Sequence, residues 1–287
     1  MKLALGTAQF GLAYGIAIQQ PQISYTESKA IIDYASRRGM SVLDTAMGYG
    51  ESESRLGNIG VQNWKVISKI SEVPKGENTS IWINSAVRES IKKLKLQSLY
   101  GLLLHRPSQL KEQNGLEIYR ALHDLKADGL VKKIGVSIYH PSELEAVFTV
   151  GEFDLVQSPL SVFDRRLITS GWLDKLADRG IEIHARSVFL QGLLLMTSGQ
   201  RPRKFNQWSD IWTRYERWVF DTGLSPLEAC IASVTGIPQI HQVIVGVNGL
   251  NHIKDILAFK TNTEPICLPN LGIDDEALLN PLYWLKV

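Results

Sequence analysis

The stretch SVLDTAMGYGESESRLG, residues 41–57, joins a short apolar run to a turn that holds two glycines. The apolar run ends in Asp44, and Tyr49 follows five positions later between the two glycines. A carboxylate at the end of a buried run destabilises a protein unless a charged or hydrogen-bonding partner meets it. We therefore expect other segments of the chain to bring a partner to Asp44.

Short apolar runs like the one before Asp44 recur along the whole chain. They are apolar throughout rather than alternating with polar residues, which is typical of parallel strands buried on both faces. The eight predicted strands are LALG (3–6), SVLD (41–44), KVISK (65–69), YGLLLH (100–105), KKIGVS (132–137), DLVQ (154–157), IEIHARS (181–187) and QVIVG (242–246).

Segments with a helical period separate these runs. Val87, Ile91 and Leu94 recur at i, i+4 and i+7, and the apolar residues of 118–125 repeat that spacing. The sequence SPLE (225–228) predicts a helix start, because it combines a capping serine, a proline at the first helical position and a glutamate that closes a capping box. Strands and helices therefore alternate along the chain.

Eight strands alternating with helices predict a single-domain α/β fold, the closed (β/α)8 TIM barrel, over residues 1–287. Such barrels typically have about 250 residues, so this chain fits one with modest insertions. A doubly wound open sheet is the alternative, and it usually carries G-x-G-x-x-G after its first strand. The first strand here runs into GTAQFG, which lacks that pattern.

Composition argues against several classes of protein. The 31 basic and 29 acidic residues are interspersed and give a net charge of +2, so we expect no nucleic-acid partner. No apolar run reaches the length of a membrane span, and the apolar stretch in MKLALGTAQFG is too short for a signal sequence. Cys230 and Cys267 are too few for a disulfide framework or a cysteine zinc site. We expect a cytoplasmic protein that acts on a small molecule.

The polar ends of three consecutive strands indicate chemistry. In (β/α)8 barrels the reaction takes place at the carboxyl ends of the strands, where Asp44, Lys69 and His105 are predicted to lie. Tyr49 is close by, and an ammonium beside a tyrosine lowers the phenol pKa from its usual value near 10. Asp44 would keep Lys69 charged, and Lys69 would tune Tyr49. Tyr49 would then exchange a proton with a carbonyl oxygen that neutral His105 aligns.

These residues carry a resemblance to a known family. DTAMGYGESESRLG is similar to the aldo-keto reductase signature D-T-A-x-x-Y-G-x-S-E-x-x-L-G, and VISKI and LLLHRP fit the spacing to the family's lysine and histidine. The resemblance runs from GTAQFG to the last helix. It implies a (β/α)8 barrel, reversible reduction of an aldehyde or ketone such as a sugar or small carbonyl, and a nicotinamide cofactor. It also implies that Tyr49 is the acid/base.

The resemblance further implies residues that bind the cofactor. Ser137 and Gln157 match residues that contact the carboxamide, although Ile138 replaces a family asparagine. Ser187 matches a serine that holds the pyrophosphate. Arg186 stands where an aromatic residue often covers the nicotinamide, and a planar guanidinium is suited to the same role.

The loop VGVNGLNHIKDIL (245–257) resembles the family's site for the adenosine 2′-phosphate. Gly246 and Asn248 fit that site, and Lys254 falls where a basic residue usually meets the phosphate. Two other positions of the loop depart from the family pattern, and Lys254 as a solvated helix charge is the alternative. We predict NADP(H) in preference to NAD(H), with NAD(H) possible.

Two further groups of residues are predicted near the mouth of the barrel. A substrate pocket is expected to include Phe10, Tyr14, Tyr139 and His140. The segment 191–223 is longer than a barrel loop needs. It walls the site, packs its aromatic residues on the barrel, or does both; these residues are Trp208, Trp212, Tyr215 and Trp218.

Three other functions remain open at this point. A non-catalytic subunit that senses nicotinamide nucleotides would not need all four polar residues. A lyase or aldolase that forms a Schiff base at Lys69 would need a lysine without a paired acid. A metal hydrolase is least favoured, and no metal is expected, because His105, His140 and His184 lack a tight ligand spacing.

Overall fold

A computed structural model of the protein describes residues 1–13, 15, 22–259, 266 and 269–284. Eight parallel strands form a closed barrel in which each strand pairs with the next and the last pairs with the first. The prediction of a (β/α)8 barrel is therefore confirmed. The strands are β1 (Leu3–Gly6), β2 (Val42–Asp44), β3 (Lys65–Ile70), β4 (Leu99–Leu104), β5 (Val131–Ser137), β6 (Leu155–Pro159), β7 (Glu182–Arg186) and β8 (Gln242–Gly246).

Helices connect the strands and surround the barrel. In the described residues they are α1 (Ala8–Gly11), α2 (Tyr25–Arg37), α3 (Ser52–Ile59), α4 (Thr79–Leu94), α5 (Gly115–Ala127), α6 (Glu143–Val150), α7 (Arg166–Thr169), α8 (Trp172–Asp178), α9 (Ser209–Thr222), α10 (Pro226–Thr235), α11 (Leu250–Ala258) and α12 (Glu276–Leu279). Short 3₁₀ helices cover Pro107–Lys111, Leu190–Leu195, Arg203–Trp208 and Pro281–Tyr283.

Helix positions follow the sequence pattern closely. Val87, Ile91 and Leu94 are all buried on α4, so their i, i+4, i+7 spacing marks the face that packs on the barrel. The predicted capping box at the start of α10 is present, with Ser225 and Glu228 each bonded to the other's backbone N–H. Local sequence therefore sets where these helices begin and which face they bury.

Side chains along a strand alternate between the inside of the barrel and the surrounding helices. A large apolar cluster lies between the strands and the helices. Inside the barrel a smaller cluster is formed by Ala4, Val42, Ile67, Leu103, Leu155 and Ile244. Because the side-chain period is two, the residue two positions after each of these points into the carboxyl mouth of the barrel.

The long segment 191–223 does both of the things predicted for it. Its first part lines the mouth cavity, while Trp212 and Tyr215 on α9 are buried and Trp208 and Trp218 are half-buried against the core. The Tyr215 hydroxyl donates to the Leu194 carbonyl at 2.7 Å, which ties α9 to the mouth segment. Within the described residues, no helix combines the length and the apolar character needed to cross a membrane.

Candidate active site

A ring of eight inward-facing residues, one from each strand position, surrounds the mouth of the barrel. All eight line one cavity of about 690 Å³. His105 lies one residue beyond β4, whereas the other seven lie within their strands. In strand order the ring consists of Gly6, Asp44, Lys69, His105, Ser137, Gln157, Arg186 and Gly246.

The partner that Asp44 requires is Lys69. The Lys69 ammonium lies 2.6 Å from Asp44 Oδ1 and donates a second bond to the Thr45 carbonyl at 2.9 Å. The Gln157 side-chain amide donates to Asp44 Oδ2 at 2.7 Å, so both carboxylate oxygens are satisfied. The Lys69 and Asp44 side chains are only 1% and 6% exposed, which makes this a buried ion pair.

Tyr49 enters the cavity on a tight turn that two glycines permit. Gly50 has a φ of 52°, and a Cβ there would lie 2.6 Å from the Gly11 carbonyl oxygen. A Cβ on Gly11 would lie 1.7 Å from the Tyr49 carbonyl oxygen, so the turn rests directly on α1. The Tyr49 and His105 rings meet edge-on, with 5.9 Å between their centroids. The Lys69 ammonium lies 5.2 Å from the centroid of the Tyr49 ring. The structure thus brings the four predicted catalytic residues together.

The pKa of Tyr49 moves in the direction opposite to the sequence-based expectation. Burial raises it well above its usual value, the Asp44 charge raises it further, and Arg186 opposes the rise. The positive charge of Lys69 is offset by the Asp44 carboxylate in contact with it, so burial decides the direction. A raised pKa keeps Tyr49 protonated at neutral pH, which suits a group that donates a proton.

His105 is held neutral by its surroundings. Burial lowers the pKa of its imidazole to about 4, and the charges of Lys69 and Arg186 add to this effect, while Asp44 opposes it. A neutral imidazole has one N–H donor and one acceptor nitrogen. His105 therefore offers a hydrogen bond to a ligand oxygen without presenting a charge.

These pKa values predict a flat pH profile on the acid side of neutrality. Because His105 is already neutral above about pH 5 and Tyr49 stays protonated, kcat/KM of a reaction that uses both groups should be constant between about pH 5.5 and 8. Steady-state rates across this range check it. An inflection near pH 6.5 that disappears in His105→Gln would contradict the neutral imidazole.

Six of the seven predicted cofactor residues line the cavity: Ser137, Gln157, Arg186, Ser187, Gly246 and Asn248. Ser187 reaches it because its φ is 61°, in the left-handed region, so the chain turns back toward the mouth after β7. Lys254 is exposed on α11 and does not line the cavity.

One side of this mouth is lined by glycine. Gly6 and Gly246 are register partners on β1 and β8, so two neighbouring positions of the ring carry no side chain. A Cβ on Gly246 would come within 2.9 Å of the Gln9 side chain. These two positions lie between Arg186 and Asp44 in strand order and form a part of the cavity wall that Gln9 lies beside.

The residues predicted to form the substrate pocket do not all line the cavity. Tyr139 lines the cavity, whereas Phe10 is fully buried in the core and does not line it. His140 bonds Ser142 and is likewise absent from the lining, and Tyr14 falls outside the described residues. Strand-end reasoning missed several lining residues, which come from the segments that follow β1, β7 and β8: Gln9, Val188, Phe189, Leu195, Met196, Gln200 and His252. Among these residues, the sequence pointed only to those of segment 191–223, through the unusual length of that segment.

Comparison with known proteins identifies the family of this chain. The sequence profile of the Aldo/keto reductase family matches residues 2–263. This match, over an eight-stranded barrel of the kind described above, identifies an oxidoreductase of this family. The chain belongs to the aldo/keto reductase family.

Relatives agree with this assignment. The chain is similar to the uncharacterized oxidoreductase YqkF of Bacillus subtilis (strain 168), with 23% identity over 88% of this chain and 89% of that protein. It is 22% identical to the NADH-specific methylglyoxal reductase of Escherichia coli (strain K12) over 75% of this chain and 80% of that protein. The aldo-keto reductase AKR11C1 from Bacillus halodurans, in its holo form, shares the fold with a TM-score of 0.73 at 17% identity, covering 93% and 88% of the two chains.

The described residues contain no group of three or more His, Cys, Asp and Glu side chains placed to hold a metal ion. The polar residues of the mouth instead form an ion pair, a phenol and an imidazole around one cavity. This arrangement has the components for moving a proton to or from a ligand oxygen.

Proposed function

We propose that this protein reduces the carbonyl group of a small aldehyde or ketone with a nicotinamide dinucleotide, using Tyr49 as the proton donor. The observation that carries the proposal is the convergence of a protonated phenol, a neutral imidazole and a buried ion pair on one cavity. The cofactor supplies a hydride to the carbonyl carbon when it is bound. The cavity residues supply position and the proton.

Each residue of the site has a distinct part in this proposal. His105 donates a hydrogen bond to the carbonyl oxygen and aligns it with the Tyr49 hydroxyl. Tyr49 transfers its proton to that oxygen as negative charge develops on it. Lys69 lies beside the Tyr49 ring and stabilises the phenolate that remains, and Asp44 keeps Lys69 charged.

The Schiff-base alternative fits the contacts of Lys69 poorly. Its ammonium donates to Asp44 and to the Thr45 carbonyl, and both contacts favour the protonated form. A nucleophilic lysine needs the opposite, a depressed pKa and a free amine. The assembled set of four residues likewise goes beyond what a nucleotide sensor requires.

The direct test follows NADPH and NADH absorbance against a panel of aldehydes, ketones and open-chain sugars. The proposal predicts oxidation of the cofactor that depends on the carbonyl compound and on Tyr49. Tight nucleotide binding with no turnover of any panel member would favour the sensing alternative. Borohydride trapping of a substrate on Lys69 would favour the lyase.

The choice between NADPH and NADH depends on two opposite charges near α11. Lys254 is exposed there, and within the described part of the chain it forms no ion pair. Glu27 of α2 accepts a bond from the first N–H of α11, that of Leu250, at 2.6 Å. A helix N-terminus favours an anion, so Glu27 competes with a 2′-phosphate for this position. The sequence offered no signal for this contact.

We predict that NADPH binds more tightly than NADH because Lys254 meets the 2′-phosphate. Lys254→Ala should narrow the difference by about 1.5–3 kcal/mol, the scale of a hydrogen bond to a charged group. Glu27→Gln should widen the difference between the two binding free energies, because it removes a carboxylate that competes with the 2′-phosphate. Fluorescence titration of both cofactors measures the difference in each variant. Equal affinities in the wild type, unchanged by Lys254→Ala, would show that Lys254 is only a surface charge.

A further inference from the structure

Arg186 places a positive charge inside the reaction cavity. It is the last residue of β7 and belongs to the inward-facing ring that contains Lys69 and His105. Its charge lowers the pKa of both Tyr49 and His105, so it lies within electrostatic range of the reacting groups. A cation in this position acts on any ligand whose oxygen reaches Tyr49.

Only some of the N–H donors of the Arg186 guanidinium are hydrogen-bonded to the described residues. One N–H donates to the Ile138 carbonyl at 2.8 Å and another to Ser187 Oγ at 3.2 Å. An arginine has five N–H donors, so these two bonds, counted over the described residues, leave three donors for a ligand. In the described part of the chain, no carboxylate forms an ion pair with Arg186.

Arg166 shows how the same protein neutralises a buried arginine. Its guanidinium bonds both Asp164 oxygens, at 2.9 and 2.7 Å, and also bonds Glu276. Arg186 is half-buried on the cavity wall, and within the described residues it has no such carboxylate. Arg186 therefore lacks the counter-charge that Arg166 has.

Arg186 packs against Tyr139, whose backbone is itself fixed by hydrogen bonds. Its guanidinium carbon lies 4.6 Å from the centre of the Tyr139 ring. The backbone N–H groups of Tyr139 and His140 both donate to Glu143 at 2.7 Å, and the Tyr139 carbonyl accepts from Arg166 at 3.3 Å. A fixed guanidinium loses little entropy when it binds an anion, and its planar fork matches a carboxylate.

We propose that Arg186 selects substrates that carry a carboxylate on the same molecule as the reacting carbonyl group. The N–H donors of Arg186 that these two bonds leave over bind the carboxylate, and Tyr49 and His105 receive the carbonyl oxygen. This inference rests on the proposed function and names its substrate class, that of small oxo-carboxylic acids. It is compatible with the face of the guanidinium lying over the nicotinamide, because the face and the edge make different contacts.

The test compares succinic semialdehyde with butanal, an aldehyde of the same chain length without the carboxylate. The measured quantity is the ratio of their kcat/KM values, in which any general loss of cofactor binding cancels. The wild-type ratio should exceed 1, and Arg186→Met should lower it about 10- to 150-fold, the range for a lost charged hydrogen bond. Arg106→Met is the matched control. Arg106 is exposed, pairs with Glu72 and does not line the cavity, so its loss should leave the ratio unchanged.

Calorimetric titration with succinate separates this inference from the proposed function. Succinate has no aldehyde, so its binding to the protein, with and without NADP⁺, is independent of turnover. Wild-type binding that weakens at least tenfold in Arg186→Met supports the carboxylate site even if no aldehyde is reduced, in which case the proposed function alone fails. A ratio that Arg186→Met leaves unchanged, or equal succinate affinity in both proteins, overturns the inference. Weaker NADPH binding in Arg186→Met, with the ratio unchanged, would assign the guanidinium to the cofactor alone.

Discussion

Tyr49→Phe is expected to lower kcat for carbonyl reduction by about 10²–10⁴-fold or more, the contribution typical of general acid catalysis. The change removes the hydroxyl and almost no volume, so the ring contact with His105 at 5.9 Å should persist. Burial keeps the Tyr49 phenol protonated, and its ring lies beside both His105 and the Lys69 ammonium. The measurement is kcat with a good carbonyl substrate under saturating NADPH.

Cofactor titration provides the control for this variant. Nucleotide affinity should stay near the wild-type value, because the proposed contacts come from other residues: Ser137, Gln157, Ser187, Gly246 and Asn248. Lys69→Met should also lower kcat strongly. The double variant should lose much less than the product of the two single losses, because the two residues act as one unit. Near-wild-type turnover in Tyr49→Phe would reject the mechanism.

Asp44→Asn is expected to reduce the free energy of unfolding by about 3–5 kcal/mol, the cost of leaving one partner of a buried ion pair without its counter-charge. Lys69 would keep its bond to the Thr45 carbonyl but lose the only carboxylate in the ring of eight. Gln157 would also lose the acceptor that it reaches at 2.7 Å. Urea denaturation at pH 7, monitored by tryptophan fluorescence, measures the loss.

A second variant tests whether the buried charge is the cause. Asp44→Asn combined with Lys69→Met removes both charges and should recover much of the lost stability while remaining inactive. Glu72→Gln is the exposed control, because Glu72 and Arg106 form a surface pair that should contribute about 0–1 kcal/mol. If Asp44→Asn were no more destabilising than Glu72→Gln, the charge of Lys69 would not depend on Asp44.

Local sequence was sufficient for the fold class and for the four residues of the catalytic proposal. The eight apolar runs could be found because a strand buried on both faces is apolar along its length. Asp44, Lys69 and His105 could be found because each comes at or next to the end of such a run, and barrel strands all end at the same mouth. Small boundary differences did not matter, since Lys69 lies one residue before the end of β3 and His105 one residue after β4.

Side-chain direction and contacts between distant segments were decided only by the tertiary structure. The sequence pattern marked Phe10 as a pocket residue, but α1 turns it fully into the core. Burial, which no motif reports, reversed the expected pKa shift of Tyr49. The contact between Glu27 and α11 joins residues more than two hundred positions apart. The same holds for Arg186, whose lack of a carboxylate partner depends on what the neighbouring strands bring beside it. A periodic pattern records the surroundings of one segment, whereas charge compensation and pKa depend on every segment that packs against a group.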